Sequence, residues 1–431
     1  MIKTLRSAWR IPEIRKKLLF MLLLVVIFRV GSYIPIPGIN PQYIQEQVQN
    51  YSILGYLDLI TGGSFGNFTV MALGIQPYIN ASIIIQLLTI ALPPLERMQK
   101  EGEMGRKRIE RITRYLGVAF SFIMGIGIVY GMGAGRVLSN TTMPPAISYI
   151  TVSLVLAAGS TFLIWLSELI TEIGIGNGSS LIIFVGIISR IPSGAMSLID
   201  NALGRGVYAL SPNRLPIWVL PLLLVGVVAI IAAVTFIDLG ERRIPVQYAK
   251  RVVGRKMYGG QSTHIPVRVN ANGVMPLIFA MTLVNFPQLF ISFWSESGFA
   301  IWWSQYMAAG SLIYFVVYTL LIVIFSYFYT MITFNPIEMS KNMQAQGGFI
   351  PGIRPGKPTS DYLARISNRL TLVSAIFLAL IASIPTLLAK FIPGAAAFGA
   401  TSLLIMVSVA LETNKQLQAQ ITMRHYKGFL K

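Results

Sequence analysis

The sequence predicts an all-α polytopic membrane protein with ten transmembrane helices in two pseudo-symmetric, inverted halves of five, with long cytoplasmic loops. Three observations carry that prediction. First, 54% of the 431 residues are hydrophobic and only 12% are charged, with a mean hydropathy of +0.65. A soluble chain of this length could not hide so much apolar surface. Second, ten apolar runs approach the roughly 20 residues needed to cross a hydrocarbon core about 30 Å thick. Third, the basic residues cluster on alternate loops, the pattern that orients a membrane protein.

The chain opens with a basic segment, 1–17, and enters its first run at 18–36. No signal-peptide cleavage site follows, so this run is read as a retained span. Arg29 lies near its outer end, where a long side chain can snorkel to the interface. Runs at 72–92, 115–135, 147–167 and 180–199 complete a first half, 18–199. Runs at 216–237, 273–293, 309–334, 370–391 and 396–412 make a second, 200–412, followed by a tail, 413–431. In lipid each run must satisfy its own backbone hydrogen bonds, which favours helices, and none alternates like a barrel strand. Five spans per half is an odd number, so the second half is inverted. Inverted halves occur in proteins that move things across bilayers.

Charge assigns the sides. Segment 1–17 carries six Lys and Arg, 93–114 seven, 238–269 seven, 334–369 five and 413–431 four, together 29 of 35. The opposite side holds Arg136, Arg190, Arg205, Arg214 and Lys390. The positive-inside rule then places both termini in the cytoplasm. The basic clusters suit anionic lipid. They also suit a docked polyanion or an acidic protein face. Length favours docking for 238–269 and 334–369, because loops beyond 30 residues usually carry function.

Within 238–269, RRIPVQYAKR and THIPVRVN read as the arms of a hairpin, parted by Gly254, Gly259 and Gly260. Loop 334–369 starts at Asn335-Pro336 and contains GGFIPGIRPGKPT, which opposes a long helix there and favours a rigid, kinked tip carrying Arg354. The tight link 174–180, GIGNGSS, is expected to cap the fifth span with Ser179 or Ser180. Between two membrane-length runs lies TGGSFGNFTV, 61–70, polar and broken by Gly62, Gly63 and Gly66.

Reactive chemistry is sparse. There is no cysteine, hence no thiol or disulfide chemistry, and the two histidines, His264 and His425, lie outside the spans. Glu168 and Glu172 share a helical face at the cytoplasmic end of the fourth span, where carboxylates are usually solvated. No metal, nucleotide or nucleophile motif is found. A membrane enzyme and a small-solute transporter, the rival classes, would both normally place ionisable groups inside the spans.

The order and wording of several motifs resemble the SecY family of protein-translocation channels. They are FRVGSYIPIPGIN, ALGIQPYINASIIIQLLTI, EGEMGRKRIERITRY, ITEIGIGNGSS, ERRIPVQYAKR, YGGQSTHIPVRVNANGVMPLIFA, FNPIEMSKNM, GGFIPGIRPGKPT and TSLLIMVSVALE, spread from residue 20 to about 412. The resemblance is looser at 137–146, 193–215, 294–308 and the tail.

The resemblance implies an hourglass pore between the halves, working as a passive channel without cofactor or metal in the plasma membrane of a bacterium. It implies a ring of Ile75, Ile79, Ile183, Ile278 and Ile405 at the waist, with Ser179 where many relatives carry another apolar residue. It implies a short plug helix from 57 to about 70, including Leu57, Ile60, Gly62, Gly63, Ser64, Phe65 and Gly66. Glycines and sparse packing would make that plug cheap to dislodge. A side opening towards lipid is implied between spans two and seven, flanked by three and eight. Arg242, Arg243, Arg251, Arg255 and Arg354 are implied contacts for a motor ATPase, SecA, or a ribosome. SecE and SecG are implied partner subunits, and secretory and membrane polypeptides the substrates.

Overall fold

The computed structural model describes residues 2–50, 52–132, 144–204, 216–248, 251–253, 256–258, 262–271, 273–291, 297–307, 311–391 and 400–428. Gly254, Arg255, Gly259, Gly260, Arg136, Arg205 and Arg214 lie outside the described residues.

A helix lies over each of the ten expected runs. Helix α1 (Ile2–Arg10) precedes α2 (Pro12–Gly31), the first span. Then come α3 (Pro41–Asn50), α4 (Ser52–Ile60), α5 (Gln76–Ala91), α6 (Pro93–Lys100), α7 (Glu103–Gly131), α8 (Pro145–Ile173) and α9 (Gly178–Leu203). The second half holds α10 (Val219–Leu239), α11 (Met275–Ile291), α12 (Gly298–Tyr306), α13 (Leu312–Thr333), α14 (Pro336–Ala345), α15 (Lys357–Phe391) and α16 (Ala400–Gly428). Among the described residues, six helices are long and apolar enough to cross a membrane, or seven if α5 and α6, bent by 98°, count as one. The others fall short for visible reasons: α2 carries Arg15, Lys16 and Lys17, α11 is brief, and α16 runs on into polar sequence.

Several ends differ from expectation. The first span stops at Gly31 because Pro35 and Pro37 follow. The second starts only at Gln76, after a run of turns over 61–75. Helix α7 begins twelve residues before the third apolar run, absorbing basic residues 106–114. Helix α15 likewise starts at Lys357, inside the expected loop 334–369. The cap of α9 is Asn177, whose side chain accepts the N–H groups of Ser179 (3.0 Å) and Ser180 (3.4 Å), so the two serines donate rather than cap.

The outward faces are apolar. Leu222, Leu224, Val228 and Phe236 of α10, and Leu312, Leu320 and Met331 of α13, are all more than half exposed. In water this would be untenable; against acyl chains it is the expected surface. Inside, α7 packs on α5 and α8, and α13 packs on α11 and α15.

The approach of α8 to the segment before α5 is close enough to demand glycine. A Cβ on Gly159 would lie 1.9 Å from the Val70 carbonyl oxygen, and the next residue, Ser160, donates its hydroxyl to Gly74 O at 3.1 Å. Gly159→Val should therefore destabilise the fold by at least about 1–3 kcal/mol, read as a lower unfolding temperature in detergent. An unchanged transition would mean the two elements sit further apart.

The expected hairpin forms, with β1 (Glu241–Tyr248) antiparallel to β4 (Ser262–Arg268) in the register Ile244↔Ile265, and β2 (Arg251–Val253) paired with β3 (Lys256–Tyr258). Unexpectedly, β5 (Gly348–Phe349) joins the other edge of β1. Ile244, Val246 and Val267 from one loop share a buried core with Met343, Ile350 and Leu363 from the other. The two long loops are thus one unit.

That unit is tied to the spans by a buried polar junction. Asn270 donates to Asp238 Oδ1 at 2.6 Å, Ser408 donates to Asp238 Oδ2, and Ser374 donates to Asn270 Oδ1 at 3.1 Å. Lys415 donates to the Asp238 carbonyl at 3.0 Å. Burial pushes the Lys415 ammonium below its ordinary value, and nearby Arg268 acts the same way.

Candidate functional site

The five isoleucines come from four helices distant in sequence. Ile75 stands at the start of α5 and Ile79 one turn on, where residues four apart share a face. Ile183 belongs to α9, Ile278 to α11 and Ile405 to α16. All five are under a tenth exposed, and all fall in one buried cluster. No acyl-facing position is among them. Ser179 is half-buried and shares a hydrogen bond of 3.2 Å with Ser167 of α8.

Ile60 joins the same cluster. It closes α4, and with Leu57 it lines a narrow cavity that Ile75 and Ile183 also face. Beyond it the chain does not continue as the short helix expected to about 70; it runs in successive turns. Gly62 and Gly63, at φ +69° and +91°, end the helix.

The packing of this segment corrects the expectation of sparseness. Ser64 is 0% exposed, Phe65 and Phe68 are 1% exposed, and the two rings join a second cluster with Ile36, Ile39, Ile44 and Leu156. Phe68 is held at φ +43°, a strained value for a side chain of its size. Ile36 N donates to Phe68 O at 3.2 Å and Val70 N to Ile34 O at 3.0 Å, stapling the segment to the chain leaving span one. Small residues here permit tight packing rather than loose packing.

The expected side opening is a closed seam. Helix α11 touches α5 and α7 directly, and Phe120 of α7 meets Phe286 of α11 edge-on, with centroids 6.1 Å apart.

On the unit formed by the two long loops, Arg242 and Arg243 lie exposed on β1, and Arg243 is bound to Glu241 at 2.9 Å. Arg251 starts β2. Arg354 is exposed at the tip between two Pro-Gly turns. Thr359 donates to its carbonyl at 2.8 Å, and Ser340 donates to Gly356 O at 2.7 Å, which fixes the tip from both sides. Arg255 lies outside the described residues. Glu168 is held by Arg114, with Nε–Oε1 at 2.9 Å, which gives it a structural partner across two helices. Among the described residues no group of His, Asp and Glu is arranged to hold a metal ion.

Two charges escaped the sequence reading. Asp58 is 4% exposed within α4, and Arg190, counted by sequence as an external charge, points at it. The available signal was a lone carboxylate in an apolar stretch, YLDLI, since such a group in or near lipid must be paired.

A model of the SecY family matches residues 69–414, about four-fifths of the chain. The chain belongs to the SecY family. Full-length SecY relatives agree: the protein translocase subunit SecY of Halalkalibacterium halodurans is 43% identical and that of Streptomyces coelicolor 42%, each over 100% of both chains. Solved structures share the SecY fold at low identity. A protein-conducting channel superposes with a TM-score of 0.63 at 20% identity, covering 93% of this chain and 90% of that one. A SecY protein studied for the plug domain that stabilises its closed state gives 0.61 at 20%, covering 92% and 90%. Sec61 in the canine ribosome–channel complex gives 0.60 at 19%, covering 93% and 90%.

Proposed function

We propose that this chain is the pore-forming subunit of the general secretion channel, a passive conduit that passes unfolded polypeptides across a membrane and releases apolar segments sideways into lipid. The observation that carries the reading is the meeting of Ile75, Ile79, Ile183, Ile278 and Ile405 with Ile60 in one buried cluster. A ring without polar atoms gives a passing chain nothing to bind, and it resists wetting when closed. Leu57, Ile60, Gly62, Gly63, Ser64, Phe65 and Gly66 form the plug below that ring. The seam between α5 and α11 is where a segment of about 20 apolar residues would leave, because only such a segment gains free energy in lipid.

The chain has no nucleotide-binding motif, so the driving force comes from outside: SecA, a translating ribosome or the proton motive force. Arg242, Arg243, Arg251, Arg255 and Arg354 are the docking residues, and a docked ribosome suits the fold shared with Sec61, which was solved in a ribosome–channel complex. SecE and SecG are the partner subunits, anionic lipid covers the basic flanks, and both termini face the cytoplasm of a bacterium. The test is a secretory chain stalled midway, with a photo-crosslinker at Ile79 or Ile278 in turn. Crosslinks from both are expected; none from either would overturn the reading.

A further inference from the structure

We propose that Asp58, Arg190 and Arg29 form a charge latch that resists release of the plug segment from the constriction. The proposal rests on the reading of residues 57 to about 70 as the plug. Three elements converge on one turn. Asp58 comes from α4, Arg190 from α9 and Arg29 from α2. Arg190 Nη2 is ion-paired with Asp58 Oδ2, and the Asp58 side chain is 5% exposed against 38% for its partner. The other oxygen of Asp58 accepts the Gly66 N–H at 2.6 Å, so the carboxylate closes the turn on itself while holding the arginine. From the far side, Arg29 Nη1 donates to Gly62 O at 2.8 Å and Nη2 donates to Tyr33 Oη at 2.9 Å, with the guanidinium 4.8 Å from the Tyr33 ring centre. A Cβ on Gly63 would lie 3.2 Å from Arg190 Cζ, so the turn rests directly against that guanidinium.

These contacts join the plug to two flanking spans, and moving the plug alone breaks them. The physics makes the arrangement bistable. A charge-assisted pair whose carboxylate is buried does not part easily, because losing Arg190 would strand the charge of Asp58. Once the plug leaves and water enters, both charges are solvated and their attraction falls with the rising dielectric. The latch therefore holds in the closed state and lets go in the wet one. Tight packing of Phe65 and Phe68 sets where the segment sits; the charges set how readily it goes.

The test uses the natural absence of cysteine. Ser64→Cys, fully buried in the closed state, is labelled with a membrane-impermeant maleimide on the full channel in its own membrane. Asp58→Asn or Arg190→Gln should each raise the labelling rate about tenfold, since removing one member leaves the other charge without its partner. The double variant should exceed the larger single by no more than about twofold, because both act on one interaction. Arg190→Lys, which keeps the charge, should stay within about threefold of the parent. Unchanged labelling in Arg190→Gln, or fully additive effects in the double variant, would overturn the latch. Deletion of 60–68 separates the two ideas. If it leaves the resting conductance unchanged, the plug reading itself fails; if it raises conductance while the single variants do nothing, the latch alone fails.

Discussion

Deleting residues 60–68 should raise the resting ion conductance of the channel by roughly an order of magnitude, because an apolar constriction alone is a thin barrier to wetting. The deletion removes Ile60 from the cavity it shares with Ile75 and Ile183, and it removes Phe65 and Phe68 from the cluster that packs the segment against the chain leaving span one and against α7 and α8. Secretory chains should still cross, since the deletion leaves Ile75, Ile79, Ile183, Ile278 and Ile405 in place. Planar-bilayer recordings measure the first effect and export of a reporter measures the second. An unchanged conductance would show that these residues block nothing.

Arg354→Glu should reduce motor-driven export about a hundredfold while leaving the amount of channel in the membrane unaltered. The side chain is exposed, and the internal hydrogen bond at this residue uses its carbonyl, not its guanidinium, so the fold has little stake in it. A docked partner has much more. Reversing one charge at a rigid contact sets like against like and costs several kcal/mol. Arg354→Lys should fall between, since an ammonium keeps the charge but loses the two-pronged geometry. Normal export in the glutamate variant would remove this tip from the docking surface.

Much of the fold was legible because lipid imposes a simple rule: backbone groups must be satisfied within each apolar run, so run length translates into helix. The hairpin was legible for a similar reason, since alternation places Ile244 and Val246 on one face of β1. What stayed hidden depends on contacts between distant residues. Arg29 reads in sequence as an interfacial arginine, yet it is turned onto Gly62, 33 residues away. Asp58 and Arg190 are 132 positions apart, and no local pattern pairs them. The junction of Asp238, Asn270, Ser374 and Ser408 draws on four separate segments. Helix ends were misplaced wherever polar sequence continued the helix beyond the apolar run, as at Glu103 and Lys357. The isoleucines illustrate the converse. Their motif register, not their hydrophobicity, distinguished them from dozens of similar side chains.

The helix that begins at Lys357 runs on to Phe391, 35 residues, or about 50 Å. Its first turn sits beside the Arg354 tip, and Ser374, midway along, is bonded into the Asp238 junction. One continuous helix thus joins the Arg354 tip to the junction where the ends of spans six and ten meet.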